Sequence, residues 1–223
     1  MRVVITGASN GIGLETAVKF LENGHTIMGV DIKKAHPRVL ALSKHKGSYT
    51  HVVTDVSNRE TLPVFRDCEI LINNAGVQTE SLNISVNLMG VINCCDQFAR
   101  QPSIKAVVNV ASVSAHNGAE YPLYTASKGG VLAYTKWLAQ EVAKYGATAN
   151  SISPGGVVTP MTLDIWNDPE KKAAVLNETL LGRWASAREI AEWIYFISVV
   201  NQSMTAQDII IDNGETAKFN FIQ

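Results

Sequence analysis

The chain has 223 residues, of which 46% are hydrophobic and 17% are charged, and its formal net charge is −1. These values predict one packed globular domain over residues 1–223. The near-neutral charge gives no indication of a nucleic-acid partner, and no apolar run reaches the about 20 residues that cross a bilayer. We therefore expect neither nucleic acid nor a membrane as a partner.

The cysteines and the first residues indicate the cellular compartment. Cys68, Cys94 and Cys95 are odd in number and two of them are adjacent, which argues against a disulfide framework. No Cys/His spacing matches a zinc site, so no metal is predicted. The N-terminus enters a strand pattern without the basic and apolar segments of a secretory signal. The expectation is a cytoplasmic protein.

Strand and helix patterns alternate along the chain. Strands are predicted near 2–6, 26–31, 49–53, 70–73, 105–111, 148–152 and 208–212, and helices near 12–23, 82–100, 123–145 and 187–200. This alternation predicts a single-domain α/β fold of the Rossmann-like, doubly wound type, with a seven-stranded parallel sheet and helices on both faces. A ligand is then expected beyond the carboxyl ends of the strands, where the strand order reverses.

The first strand leads into a glycine-rich turn, Thr6-Gly-Ala-Ser-Asn-Gly11-Ile-Gly13, and then into an amphipathic helix. Glycines at such a turn let the backbone approach a pyrophosphate, which the N-terminus of the helix attracts. A glycine turn of another α/β protein is the alternative. The predicted dinucleotide contacts in this turn are Gly7, Ser9, Asn10, Gly11, Ile12 and Gly13.

The second strand ends in Asp31, eighteen residues after Gly13. A carboxylate at this place accepts hydrogen bonds from both hydroxyls of the adenosine ribose, with Ile32 beside it. It repels a 2′-phosphate, so the sequence predicts NAD as the cofactor rather than NADP. Lys33 and Lys34 could balance a phosphate, although adjacent lysines after a strand are usually a solvated turn.

Tyr124-Thr-Ala-Ser-Lys128 is the most informative segment for chemistry. On a helix, residues four apart lie on one face. An ammonium beside a phenol favours the phenolate and lowers its pKa, which makes the phenol a usable acid/base near neutral pH. The spacing alone also occurs in many unrelated helices.

The order of motifs along the chain resembles the short-chain dehydrogenase/reductase family, common single-domain type, over almost the whole length. The motifs are Thr6-Gly-x-x-x-Gly11-x-Gly13, Asp55-Val56, Asn73-Asn-Ala-Gly76, Asn87, Ser112, Tyr124-x-x-x-Lys128, Pro154-Gly155 through Thr159, and Ile209-Ile-Ile-Asp-Asn-Gly214. No single motif is decisive, but their common order and spacing are specific.

The resemblance implies four catalytic roles. Tyr124 is the general acid/base, Lys128 binds the nicotinamide ribose and lowers the Tyr124 pKa, and Ser112 hydrogen-bonds the substrate oxygen. Asn87 holds a water that links Lys128 to solvent. Two alternatives stay open: Ser114 lies close to Ser112, and the Asn87 amide could merely hydrogen-bond backbone.

The resemblance also implies the other cofactor contacts. Asp55 and Val56 contact the adenine, although Asp55 could instead cap the helix that follows. The loop after the sixth strand holds the nicotinamide carboxamide through the Val157 backbone and the Thr159 hydroxyl. The complete implied set outside the glycine turn and Asp31-Ile32 is Asp55, Val56, Asn74, Ala75, Gly76, Tyr124, Lys128, Pro154, Val157 and Thr159.

Two connections are shorter than the family pattern. Between Asp55 and Asn73 there is room for one short helix, around Arg59 to Arg66, and only ten residues separate Gly76 from Asn87. The edge of the cleft above Gly76 should therefore be open. The segment 160–184 matches the family's helical lid over the substrate, and its apolar content favours an uncharged or partly hydrophobic alcohol or ketone.

The predicted function is an NAD(P)-dependent oxidoreductase that transfers a hydride between nicotinamide C4 and an alcohol or ketone carbon of a small molecule. The first alternative is a 3-oxoacyl-thioester (acyl carrier protein) reductase, which would need NADPH and a basic docking patch such as Lys171, Lys172, Arg183 and Arg188. The second is a non-catalytic dinucleotide-binding sensor, which would not need the four catalytic residues together.

The resemblance implies a symmetric homo-oligomer, a homotetramer or a homodimer. The contact would involve the helices near 82–100 and 123–145, with an apolar side formed by Ile92, Cys95, Phe98, Ala99, Leu132, Ala133, Trp137 and Leu138. Both helices could instead be buried against their own sheet. The apolar tail Phe219 to Gln223 predicts a second contact.

Overall fold

A computed structural model describes residues 1–219. Nine strands occur in these residues: β1 (Arg2–Thr6), β2 (Thr26–Asp31), β3 (Ser48–Val53), β4 (Ile70–Asn73), β5 (Ala106–Val110), β6 (Thr148–Pro154), β7 (Val157–Val158), β8 (Ala185–Ser186) and β9 (Asp208–Ile211). Seven of them form one sheet in the order β3-β2-β1-β4-β5-β6-β9. Every pairing in that sheet is parallel, which confirms the predicted doubly wound sheet.

The strand order reverses on the two sides of β1, which pairs with β2 on one side and β4 on the other. Because all seven strands run in one direction, their carboxyl ends lie at a single edge of the sheet. Val3 and Ile5 pack on one face of β1, and Val4 packs on the other. Such two-sided burial is what a continuous apolar strand requires.

Eight α-helices are present in residues 1–219: α1 (Gly11–Glu22), α2 (Pro37–Leu42), α3 (Gly90–Phe98), α4 (Ser114–Asn117), α5 (Pro122–Ala143), α6 (Leu163–Trp166), α7 (Pro169–Asn177) and α8 (Ala187–Tyr195). On one face, α1 packs against α8, with Phe20 and Ile190 fully buried there. On the other face, Phe98 of α3 and Leu138 of α5 are fully buried. The sheet thus carries a core on both faces.

The periodicity of α1 explains its place in the fold. Leu14, Ala17, Val18 and Leu21 recur at helical spacing and are all buried, so they form the apolar stripe that packs on β1. The charged residue at its C-terminal end, Glu22, pairs with α8, where Arg188 contacts it at 2.6 Å. The apolar face of α1 therefore fixes the position of the connection between β1 and β2 on the sheet.

The two short connections differ from their predicted form. In the segment expected to form a helix around Arg59 to Arg66, only a 3₁₀ turn, Arg59–Thr61, is present. Pro63 follows it, and proline interrupts a helix because it lacks an N–H group. The helix expected over 82–100 is divided into a 3₁₀ turn (Glu80–Leu82), a π-helix (Asn83–Met89) and α3.

The segment 160–184 contains the helices α6 and α7, and its role as a lid stays a prediction. The sequence missed α2, α4 and the two-residue ladder that pairs Val157 with Ala185 and Val158 with Ser186. That ladder joins the loop after β6 to the residues that precede α8. No helix within residues 1–219 is long and apolar enough to cross a membrane.

Several residues assigned to a subunit contact lie inside the chain's own core. Cys95, Phe98, Ala99 and Leu138 are buried against the sheet, so the alternative of self-burial is correct for them. Trp137 is 43% exposed and remains on the outer side of α5. The tail residues 220–223, part of the second expected contact, lie outside the described residues.

Candidate active site

The glycine turn between β1 and α1 has a backbone that only glycine adopts readily. Gly7 and Gly11 have φ values of +67° and +52°, in the left-handed region. A Cβ on Gly13 would lie 2.1 Å from the Gly7 carbonyl oxygen and 2.5 Å from Asn74 Nδ2. The turn therefore leaves no room for a side chain at Gly13.

The N-terminus of α1 keeps its amide groups available. Asn10 occupies the N-cap position, yet its side chain forms no capping hydrogen bond. Uncapped N–H groups at the start of a twelve-residue helix bind anions such as a pyrophosphate. Ile12 and Gly13 lie in this first turn.

Asn74 and Thr6 hold the glycine turn against the end of β4. The Thr6 hydroxyl accepts from the backbone N–H groups of Asn74 and Ala75, both at 3.0 Å. The Asn74 amide donates to the carbonyl oxygens of Thr6 and Gly7 at 3.1 and 3.2 Å. Asn74, a predicted cofactor contact, thus holds the glycine turn in place by hydrogen bonds to its backbone.

Asp31 lies at the end of β2, beside the glycine turn, and is 8% exposed. Its Oδ2 accepts from the Ser9 N–H at 2.9 Å, and its Oδ1 accepts from the Lys33 N–H at 2.8 Å. A carboxylate has about four acceptor sites, so these bonds orient it and leave acceptor capacity for a ligand. Ile32 is 64% exposed next to it.

Asp55 and Val56 follow β3 at the same edge. Asp55 is exposed, and its Oδ1 accepts from the Ser57 N–H at 2.8 Å in a local turn. Val56 is buried and packs in the core below α3, where Asn93 holds its carbonyl oxygen at 3.0 Å. The capping of the 3₁₀ turn falls to Asn58 rather than Asp55.

Ser112 and Tyr124 meet at the start of α5. The Ser112 hydroxyl lies close enough to the Tyr124 phenol to lower its pKa, and Ser112 Oγ accepts from the Ser114 N–H at 3.2 Å. Ser114 itself is buried, and its hydroxyl has no partner among residues 1–219. The choice of Ser112 over Ser114 rests on this contact with Tyr124.

The Tyr124 pKa differs from the sequence expectation. Burial raises it to about 12, the Ser112 hydrogen bond lowers it in part, and the nearby Glu120 carboxylate raises it further. The expected lowering by Lys128 is therefore wrong for this structure. The reason is geometric, because Lys128 Nζ donates to the Val110 carbonyl oxygen at 2.9 Å and lies 5.7 Å from the Tyr124 ring centroid.

Lys128 is itself held in a dry environment. It is 5% exposed, and burial lowers its pKa to about 8. The ammonium is therefore the main form at neutral pH, but it is lost at mildly alkaline pH. Gly76 lies directly over it, since a Cβ on Gly76 would approach Lys128 Nζ to 3.6 Å and Asn87 Oδ1 to 3.3 Å.

The Asn87 side-chain amide forms two hydrogen bonds with the backbone of the loop after β4. Its Oδ1 accepts from the Val77 N–H at 2.8 Å, and its Nδ2 donates to the Val77 carbonyl oxygen at 2.9 Å. It lies in the π-helix, which directs this fully buried side chain toward the loop. The amide thus hydrogen-bonds backbone, as the alternative stated, and its role in a proton relay stays a prediction.

The loop after β6 completes the site. Pro154 and Val157 are buried, and Thr159 approaches the glycine turn, since a Cβ on Gly11 would lie 3.5 Å from the Thr159 side chain. The sequence missed two contacts of this loop. The Trp184 indole lies against Gly156, and Glu215 Oε2 accepts from the Gly156 N–H at 3.2 Å.

These residues fit a dinucleotide. At the sheet edge, one side is formed by the glycine turn, the uncapped N-terminus of α1 and Asp31. The Gly155–Thr159 loop forms the other side. Tyr124, Ser112 and Lys128 stand beside that loop, so a nicotinamide held there would face a phenol and a hydroxyl. No group of three or more His, Cys, Asp or Glu able to hold a metal occurs in residues 1–219.

Comparison with known proteins agrees with this geometry. The family model described as enoyl-(acyl carrier protein) reductase matches residues 7–216. The chain is 34% identical over 242 residues to the 3-oxoacyl-[acyl-carrier-protein] reductase of Chlamydia pneumoniae, covering 96% of each protein.

Two solved structures share the fold. A structure from Agrobacterium tumefaciens with bound NADP, assigned as a 2-deoxy-D-gluconate 3-dehydrogenase, matches with a TM-score of 0.88 and 28% identity over 97% of this chain and 96% of that one. A 4-hydroxyisoleucine dehydrogenase mutant complexed with NADH and succinate matches with a TM-score of 0.85 and 28% identity over 99% and 100%. The chain belongs to the short-chain dehydrogenase/reductase family and is an oxidoreductase that uses a nicotinamide dinucleotide.

Proposed function

We propose that this protein is a dehydrogenase/reductase that interconverts a small secondary alcohol and its ketone, with NAD as the dinucleotide. The observation that carries the proposal is the meeting of the Ser112 hydroxyl, the Tyr124 phenol and the buried Lys128 ammonium beside the Gly155–Thr159 loop. The bound dinucleotide supplies or accepts the hydride. The side chains supply orientation, charge stabilisation and the proton.

In ketone reduction, Tyr124 donates its proton to the carbonyl oxygen, and Ser112 stabilises the negative charge that develops there. The high Tyr124 pKa keeps the phenol protonated at neutral pH, which suits a proton donor. Lys128 provides a positive charge below that oxygen. In alcohol oxidation the same groups act in reverse, and Tyr124 must first lose its proton.

The proposal of NAD rests on Asp31. Its carboxylate is buried, oriented by two backbone N–H groups and directed to the place expected for the adenosine ribose. A 2′-phosphate there would meet this charge at close range, and like charges about 4 Å apart repel by several kcal/mol at an effective dielectric constant near 20. Lys33 and Lys34 are exposed, so they do not cancel the buried charge.

Asp31→Asn is expected to lower the ratio of kcat/KM for NAD to that for NADP by at least about tenfold. The amide keeps one acceptor for the Ser9 or Lys33 N–H but loses the charge that repels a 2′-phosphate. Initial rates with both dinucleotides measure the ratio. Glu60→Gln, which neutralises an exposed carboxylate away from the site, is the matched control, and an unchanged ratio in Asp31→Asn would contradict the assignment.

Charge pairing around the lid favours a small neutral substrate over an acyl carrier protein. Each basic group that could dock an acidic carrier already has a partner in the described residues: Lys171 with Asp168 at 3.5 Å, Arg183 with Glu189 at 2.7 Å, Arg188 with Glu22 at 2.6 Å, and Lys172 over the Trp166 ring at 4.1 Å. The exposed Glu120 carboxylate adds negative charge near Tyr124, and the half-buried Glu215 interacts electrostatically with Glu120.

A 3-oxoacyl-thioester reductase is the second candidate, because the Chlamydia pneumoniae relative and the family description both carry acyl-carrier names. A thermal-shift and initial-rate panel tests the two assignments together. It combines NAD and NADP with short secondary alcohols, their ketones and an acetoacetyl thioester of pantetheine. Turnover of the thioester with NADPH alone would favour the second candidate.

The rate of alcohol oxidation is expected to rise with pH by up to about tenfold per pH step between about pH 6 and pH 8, because oxidation requires the Tyr124 phenolate and its pKa lies near 12. Above about pH 8 the loss of the Lys128 ammonium opposes this rise. Ketone reduction requires the protonated phenol. The titration of Tyr124 therefore does not change the rate of reduction over the same pH range. Rates with a deuterated substrate identify the conditions in which hydride transfer limits turnover. A level oxidation profile under those conditions would count against Tyr124 as the base.

Assembly as a homotetramer or homodimer stays a prediction. It is supported by exposed apolar groups on the outer side of the helices that follow β4 and precede β6, namely Ile84, Met89 and Trp137. These side chains remain exposed after the inward-facing residues of the same helices are buried.

A further inference from the structure

A second polar cluster, formed by His116, Ser151, Ser153 and Asp208, lies next to the turn that connects Ser112 to α4. His116 of α4 places its Nε2 2.8 Å from Asp208 Oδ2 and 3.3 Å from Ser153 Oγ. Asp208 Oδ1 accepts from the Ser151 and Ser153 hydroxyls at 2.6 and 3.0 Å. Asp208 opens β9 and its side chain is 13% exposed, so a largely buried carboxylate is satisfied by three donors.

The hydrogen-bond roles in this cluster follow from the carboxylate. An ionised carboxylate only accepts, so His116 Nε2 carries the proton and donates to Asp208. The arrangement is not that of a nucleophilic triad, because one imidazole nitrogen faces both the carboxylate and the Ser153 hydroxyl, and Ser153 is fully buried. The cluster therefore serves to fix position.

What it fixes is the turn that carries Ser112. The helix α4 begins two residues after Ser112 and has only four residues, too few to be stable alone. Backbone bonds join the turn to β6, as Val113 N–H donates to the Pro154 carbonyl oxygen at 3.0 Å. Among the described residues, His116 is the one residue of α4 whose side chain forms hydrogen bonds or an ion pair with the sheet.

The position of that turn sets the geometry of the catalytic hydroxyl. The Ser114 N–H, in the first turn of α4, donates to Ser112 Oγ at 3.2 Å, so a displaced α4 would rotate or release the Ser112 side chain. We infer that His116 is a positioning residue that holds the Ser112 hydroxyl toward Tyr124 by anchoring α4 to Asp208. This inference rests on the role proposed for Ser112.

Removal of the imidazole should be tolerated by the fold. A cavity of about 80 Å³ already lies beside the cluster, lined among others by His116, Lys136, Gln207 and Asp208. Water has room to enter it and to replace the lost donor. A change in catalysis can then be separated from unfolding.

The test is a double-mutant cycle of His116→Ala with Ser112→Ala. In the wild-type background, His116→Ala is expected to lower kcat about tenfold and to change the dinucleotide Kd by less than about twofold. In the Ser112→Ala background it should change kcat by less than about twofold. His116→Gln, which keeps a donor, should retain at least about half of the wild-type kcat.

The outcomes separate the two claims. Additive effects on kcat or a wild-type kcat in His116→Ala overturn the positioning role, whereas a wild-type kcat in Ser112→Ala overturns the proposed role of Ser112 itself. His45→Ala, at an exposed histidine, is the matched control. If His116→Ala unfolds at the assay temperature, Asp208→Asn enters the same cycle with the same expected result.

Discussion

Tyr124→Phe is expected to lower kcat at least about a thousandfold while the dinucleotide Kd stays within about twofold of the wild-type value. The change removes one hydroxyl and keeps the ring, so the Lys128 ammonium retains its aromatic neighbour at 5.7 Å from the ring centroid. General acid/base groups contribute about 10²- to 10⁴-fold, and Ser112 also loses its phenol partner. Steady-state kinetics and fluorescence titration with NADH measure the two quantities.

Tyr121 offers a matched control for that variant. It lies three residues before Tyr124, is 57% exposed and has no lysine four residues later. Tyr121→Phe should therefore keep a wild-type kcat. Activity above a few per cent in Tyr124→Phe, measured with the true substrate, would show that the acid/base lies elsewhere.

The second large effect is expected for Gly13→Ala, which should weaken dinucleotide binding at least about a hundredfold and lower the free energy of unfolding by about 1–3 kcal/mol. The new Cβ would lie 2.1 Å from the Gly7 carbonyl oxygen, a backbone atom that cannot move without opening the turn. The Asn74 side chain, 2.5 Å from the new Cβ, would also be displaced, and its hydrogen bonds to Thr6 and Gly7 would be lost. Calorimetric titration with NADH and chemical denaturation check the two effects.

Gly129→Ala is the control for a glycine-to-alanine change in a helix. No heavy atom lies within 4 Å of the Cβ that it adds, and alanine is favoured over glycine in helices by about 0.5–1 kcal/mol. Its dinucleotide affinity should be unchanged. Equal affinities for Gly13→Ala and Gly129→Ala would show that the glycine turn does not hold the pyrophosphate.

The sheet and the glycine turn were predictable because their signals are local. Apolar runs such as Val3 to Ile5 mark buried strands, and Gly7 to Gly13 mark one tight turn before one helix. The position of Tyr124 and Lys128 on one helix also follows from spacing alone. These features depend on residues that are near one another in the sequence.

Other features depend on distant residues, so sequence patterns missed them. The Tyr124 pKa is set by burial and by the direction of the Lys128 ammonium toward Val110, neither of which spacing reveals. The Gly156 loop is held by Glu215, which lies 59 residues later. Asn87, in the π-helix Asn83–Met89, bonds to the backbone of Val77, ten residues earlier.

The position of β1 between β2 and β4 also has a consequence for synthesis of the chain. Its neighbour β4 begins at Ile70, far beyond Thr6, and the Thr6 hydroxyl finds its amide partners only there. At about 5–20 residues per second, translation takes roughly 3 to 13 seconds to deliver β4 after β1 has left the peptidyl-transferase centre. During that interval a strand that is largely buried in the finished protein has an open edge on the ribosome, where chaperones that cover apolar segments would act first.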